Sequence, residues 1–161
     1  ATDEGPSATL ARSKVGDLVH VLKYAAVDDA ARSQALKALA ERMADVIRRL
    51  PSFDQAVIAS VPGHDSRIVS WSQRLADEIG RMTERRVIRT RARSLVRAPA
   101  KAGAVDLTDE FMIDAGDVAN SIVLVVDDVM MSGNTLKAVA RAARRAGAPE
   151  VHVLVAARTI R

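Results

Sequence analysis

Apolar and polar positions along this chain switch between two rhythms. Between residues 28 and 50, Leu36, Leu39, Met43, Val46, Ile47 and Leu50 recur at helical spacing. Asp28 or Asp29 can cap that helix, and Pro51 ends it. Residues 56–61 form an apolar run that suits a buried strand, closed by Pro62 and Gly63. A second helix is predicted after Ser66, with Ile68, Trp71, Leu75 and Ile79 on one face and its end near Gly80. Residues 85–90 read as a third strand, 111–113 as a brief one and Gly116 as a turn. Residues 122–129 read as a strand, and a helix follows from Thr135 to about Ala146. In that helix Leu136, Val139, Ala140 and Ala143 face inward, while Lys137, Arg141, Arg144 and Arg145 face out. Gly147 and Pro149 close it, and residues 151–157 form a last strand. Residues 18–24 fit either an edge strand or a helical turn, and residues 1–13 read as a tail before a domain spanning 14–161. Strands alternating with helices predict an α/β fold with a parallel sheet and right-handed crossovers.

One segment carries most of the chemistry. Residues 123–135 read Val-Leu-Val-Val-Asp-Asp-Val-Met-Met-Ser-Gly-Asn-Thr. The apolar run suits a strand buried on both faces, as in a parallel sheet. Asp127 and Asp128 then fall at its carboxyl end, where open α/β sheets bind ligands. Ser132, Gly133, Asn134 and Thr135 form a loop ahead of a helix N-terminus, where backbone N–H groups can hold a phosphate. Two carboxylates beside such a loop suit a polyol or a magnesium ion, and a sugar phosphate satisfies both halves. A strand, turn and helix cap with no ligand explains the hydroxyls but not the paired carboxylates. A response-regulator receiver places its acidic pair near the start of the domain, whereas here it comes late. No Walker P-loop and no Gly-x-Gly-x-x-Gly after a strand is present.

Composition narrows the picture. A chain of 161 residues, 48% of them hydrophobic, can build one substantial core. Aromatics are only 2%, so Ala, Val, Leu, Ile and Met must fill it. There is no cysteine, hence no disulfide framework and no thiolate metal site. No apolar run reaches the roughly 20 residues that span a bilayer, and no signal-peptide core stands out; a cytoplasmic protein without membrane contact is expected. Ala1 in place of Met points to a processed or trimmed start. The net charge of +4 permits nucleic-acid binding without requiring it. Arg85, Arg86, Arg89, Arg91 and Arg93 would carry such a function.

The 123–135 segment resembles the signature of the type I phosphoribosyltransferases, which bind 5-phosphoribosyl-1-pyrophosphate (PRPP). The resemblance implies their fold, a Rossmann-like parallel sheet with a small hood. It also implies that Asp127 and Asp128 contact the ribose hydroxyls, and that Met131, Ser132, Gly133, Asn134 and Thr135 wrap the 5′-phosphate. A pyrophosphate loop is implied at 60–67, with Val61, Pro62, Gly63 and Arg67 as its binding residues. A long flexible loop belongs at 91–110, with Arg93, Arg97 and Lys101 as its basic candidates. Mg²⁺ is the implied cofactor, carried on PRPP oxygens and not by dedicated protein ligands; the implied partners are PRPP or another ribose phosphate, an unspecified acceptor base and a second subunit in a homodimer. Gly16-Asp17-Leu18-Val19-His20 leading to Leu22-Lys23-Tyr24, Val61-Pro62, and Ala157-Arg158-Thr159 are similar to the competence-associated ComF-type branch.

Met131 departs from the pattern. The 6-oxopurine enzymes place an Asp there, beside the base, and orotate and adenine enzymes usually a Thr. Met can neither donate nor accept a proton. The expected activity is transfer of phosphoribosyl to a nitrogenous acceptor with release of pyrophosphate. The alternative is a non-catalytic PRPP or nucleotide sensor on the same fold, acting in DNA uptake or regulation. His64, His20 and His152 lack clustered partners. Trp71 reads as core, and Tyr24 and Phe111 are the unassigned aromatics that could stack on a base.

Overall fold

The computed structural model describes residues 13–97 and 106–159. Ser13 caps α1 (Lys14–Lys23) by accepting from the Gly16 N–H, and Asp28 caps α2 (Asp29–Arg48) by accepting from the Ala31 N–H. A 3₁₀ turn at Pro51–Phe53 leads into β1 (Val57–Ser60). Then come α3 (Trp71–Thr83), β2 (Val87–Ile88), β3 (Arg91–Ala92), β4 (Phe111–Met112) and the short α4 (Ala115–Val118). The chain closes with β5 (Ile122–Met130), α5 (Asn134–Arg145) and β6 (Glu150–Arg158).

Four strands form a parallel sheet in the order β2-β1-β5-β6. The β1 strand pairs with β5 in a register that sets Ser60 beside Val126, one residue before the acidic pair. Alternation along the central strands splits the core in two. Val57, Ala59, Val123 and Val125 pack with α5, Phe111, Ile113 and Val118. Ile58, Leu124 and Val126 pack against α1, α2 and α3. Residues 123–126 are therefore apolar without a break because neither face meets water. Among the described residues no helix is long and apolar enough to cross a membrane.

Of the two readings open for residues 18–24, the helical one holds: residues 18–23 lie in α1, with Val19 and Leu22 buried in the core. The parallel α/β architecture is as the sequence pattern predicts, and three local features differ. The helix predicted after Ser66 begins at Trp71, and Ile68 is 64% exposed. Ser66 is instead tied across to Leu95, through its N–H and its hydroxyl, and Asp65 bridges Val96. That helix also runs past Gly80 to Thr83. Gly80 is small because β2 lies against it: a Cβ there would meet Val87 Cγ2 at 2.3 Å. Residues 91–110 are not loop throughout, since β3 pairs antiparallel with β4 as a separate two-stranded sheet.

Candidate functional site

The carboxyl ends of β1 and β5 open into a cavity of about 450 Å³, within the usual range for a small-molecule site. One side is the 61–65 segment, the other the 127–136 segment, and Lys23 and Tyr24 reach in from the end of α1.

The acidic pair forms its floor. Asp127 is 9% exposed and Asp128 2%. Ser72, in the first turn of α3, donates to Asp127 Oδ1 at 2.6 Å, and the Asp128 N–H donates to the same oxygen at 2.9 Å. Burial, and then the charge of Asp128, push the Asp127 carboxyl up to about 7, against the pull of the Ser72 bond. Asp128 Oδ1 accepts from the Lys23 ammonium at 3.1 Å, while its Oδ2 is buried with no partner. A dehydrated carboxylate oxygen without a donor is costly, and Asp128 itself is among the residues that line the cavity.

The 131–134 loop supplies donors instead. Gly133 has φ of +74°, a left-handed conformation that favours glycine. It turns the chain into α5, whose first turn has no side-chain cap. The intrahelical ladder begins with the Lys137 N–H bonding to the Gly133 carbonyl. Within the loop, the Asn134 N–H reaches Ser132 Oγ only at 3.4 Å. The open end of the 12-residue α5 thus points its amides and positive dipole at the cavity beside the carboxylates.

The opposite wall is locked. Ser70 caps α3 in a reciprocal box with Gln73, and its hydroxyl donates to the Val61 carbonyl. The Arg97 guanidinium donates to the carbonyls of Pro62 and Gly63, and its N–H to the His64 carbonyl at 2.7 Å. Arg97 also lies over the Phe111 ring, 4.6 Å from its centroid, and burial lowers its pKa.

The structure brings together Asp127, Asp128, Met131, Ser132, Gly133, Asn134, Thr135, Val61, Pro62, Gly63 and Arg97 around one cavity. Arg67 and Arg93 do not line it. Arg67 is held in a fork by Asp65, whose carboxyl it lowers to about 2. Lys101 lies outside the described residues. Phe111 is buried in the core, whereas Trp71 and Tyr24 line the cavity. Most of the basic stretch at 85–93 faces carboxylates: Arg85 meets Asp54, Arg86 meets Asp117, Arg89 meets Asp77 and Arg91 meets Asp114. Ser72 and Lys23, the two side chains that hold the acidic pair, escaped the sequence reading of the site. The only signal for Ser72 was its place in the first turn, inside the Ser70-x-x-Gln73 box. Lys23 stood only within the Leu22-Lys23-Tyr24 stretch of the branch resemblance, with nothing there to tie it to the acidic pair.

A family profile described as the phosphoribosyl transferase domain matches residues 31–160, and the chain belongs to that family. Solved structures share the fold at low identity. An adenine phosphoribosyltransferase of Giardia lamblia, complexed with 9-deazaadenine, is 12% identical with a TM-score of 0.57, covering 80% of this chain and 82% of that one. The adenine phosphoribosyltransferase of Trypanosoma brucei, in complex with AMP, pyrophosphate and ribose-5-phosphate, is 18% identical with a TM-score of 0.56, covering 76% and 52%. A phosphoribosylpyrophosphate synthetase of Mycobacterium smegmatis is 16% identical with a TM-score of 0.53; 74% of this chain matches 33% of its length. No curated protein matches by sequence.

Proposed function

We propose that this chain binds PRPP at the carboxyl ends of β1 and β5 and transfers its phosphoribosyl group to a nitrogen nucleophile. The observation that carries the reading is a juxtaposition: an uncapped helix N-terminus beside a buried carboxylate with an unpartnered oxygen, in one cavity. The first suits a 5′-phosphate and the second a ribose hydroxyl.

In this reading the amides of 132–135 hold the 5′-phosphate, and Asp127 and Asp128 accept from the sugar hydroxyls. The 61–63 segment faces the pyrophosphate, its shape held by Arg97, which lines the same cavity. The bond from the anomeric carbon to the pyrophosphate oxygen breaks, a bond to the acceptor nitrogen forms, and that nitrogen's proton leaves to solvent. Positive charge builds on the sugar as the leaving group departs, and in this reading the carboxylate pair stabilises it. The protein's further contributions are positioning and exclusion of water.

The described residues do not fit a resident magnesium ion. No group of three His, Asp or Glu converges among them, and a lysine ammonium stands against Asp128. In this reading Mg²⁺ enters as the counter-ion that PRPP brings on its own oxygens.

Met131 supports a second reading, a PRPP sensor without turnover, including one acting in DNA uptake. It lines the cavity and can move no proton. Titration of PRPP with Mg²⁺, followed by pyrophosphate release across a panel of nucleobases and amines, separates the two. Binding with turnover supports the transferase, binding alone the sensor, and no binding of any ribose phosphate sinks both.

A further inference from the structure

Lys23 is the last residue of α1 and precedes the segment matched by the family profile, 31–160. It is nevertheless the residue whose side chain meets the more deeply buried carboxylate of the site. Its ammonium lies 3.1 Å from Asp128 Oδ1, 105 residues away in sequence. The lysine is 30% exposed and lines the cavity; the aspartate is 2% exposed. Its place is fixed by packing. Leu22 and Val19 are buried in the core that α1 shares with α2 and α3, and the N–H groups of Tyr24 and Ala25 both return to the His20 carbonyl. Arg32 of α2 donates to the Ala25 carbonyl at 3.1 Å and pins the exit of the helix.

We infer that Lys23 is a positioning residue for the sugar end of the site: it holds Asp128 by Oδ1 and so fixes the carboxylate that meets a ribose hydroxyl. The inference rests on the ribose-phosphate reading of the cavity. A carboxylate this buried, with a second carboxylate next to it, would otherwise rotate toward whatever donor it found. With Oδ1 engaged, one oxygen remains without a donor in the ligand-free protein. Lys23 acts on the substrate through Asp128, and it supplies a fixed positive charge without requiring a divalent ion there.

The test is calorimetric titration of ribose 5-phosphate in EDTA, with the wild-type chain, Lys23→Met, Lys23→Arg, Asp128→Asn and the double variant Lys23→Met/Asp128→Asn. Lys23→Met should bind at least about tenfold more weakly, and Lys23→Arg within about threefold of wild type. The double variant should bind no more weakly than Asp128→Asn alone, because the lysine acts through the aspartate. Urea unfolding of the same set reads the pair without ligand: Lys23→Met should lose stability, and the double variant should recover much of it, since position 128 no longer buries an unpaired charge. Wild-type affinity in Lys23→Met, additive losses in binding, or additive losses in urea would each overturn the inference alone. Failure of the wild-type chain to bind ribose 5-phosphate would overturn the ribose-phosphate reading and this inference with it.

Discussion

Two strand-to-helix crossovers face each other across the cavity, and they treat their backbone donors in opposite ways. After β1, the chain closes its own turns: Ser70 and Gln73 cap α3, Asp65 takes Arg67, Ser66 binds Leu95, and Arg97 grips the Pro62 and Gly63 carbonyls. After β5, Gly133 turns left-handed and α5 starts with no side-chain cap. A helix that caps itself keeps its shape whether or not a ligand is present. A helix that leaves its first turn open has donors that only water or an anion can satisfy. In the proposed reading the second crossover therefore holds the 5′-phosphate, and the first frames the pyrophosphate side of the cavity.

The largest effect should come from the carboxylates on the open side. Asp128→Asn keeps the shape of the side chain but loses the anion, and ribose 5-phosphate affinity should fall about 100-fold, near 2.7 kcal/mol, by calorimetry.

Next comes a pH effect at Asp127. Its folded pKa of about 7 lies above the ordinary 3.8. The folded protein therefore holds a proton that the unfolded chain has released. Stability present below about pH 4 is lost as pH rises toward 7. Binding runs the other way, because a sugar hydroxyl donates to the anion. Ribose 5-phosphate affinity should climb up to about tenfold per unit below pH 7 and then level off. Phosphate ionisation also contributes, so the signature of Asp127 is the part of the slope that disappears in Asp127→Asn.

On the locked side, Arg97→Ala should lower stability by about 2–3 kcal/mol in urea, because two loop carbonyls lose a buried, charged donor. Gly133→Ala puts a side chain at φ of +74° and should weaken phosphate binding by about 1–2 kcal/mol, near tenfold. Ser70→Ala should be the mildest. It removes the cap of α3 at a cost of about 1 kcal/mol while leaving ribose 5-phosphate affinity within about threefold. If Ser70→Ala weakened binding as much as Gly133→Ala, the division of labour between the crossovers would be wrong.

The two sides were also unequally legible in the sequence. The 123–135 segment announces itself because strand, carboxylates, loop and helix are contiguous, and each has its own local pattern. The 61–70 crossover misled because Ile68, Trp71, Leu75 and Ile79 share helical spacing, which hid a real start signal, Ser70 with Gln73 three residues on. What overrides the spacing is the tie from 65–66 to 95–96, a contact between distant segments that periodicity does not encode. Arg97, expected as a basic residue for the pyrophosphate, lines the cavity and also clamps backbone carbonyls, because Phe111 and the 62–63 turn enclose it. The Lys23 to Asp128 pair is illegible for the same reason: only the fold brings the end of α1 to the end of β5.

The central claim is that the open start of α5 holds the phosphate of a phosphoribosyl ligand. Its most direct test is titration of ¹⁵N-labelled protein with ribose 5-phosphate, following backbone amides by NMR. The account predicts that the amides of Ser132, Gly133, Asn134 and Thr135 move together and saturably, while those near Ser70 and Gln73 hold still. Saturable binding with those four amides unmoved, or no binding at all, would contradict it.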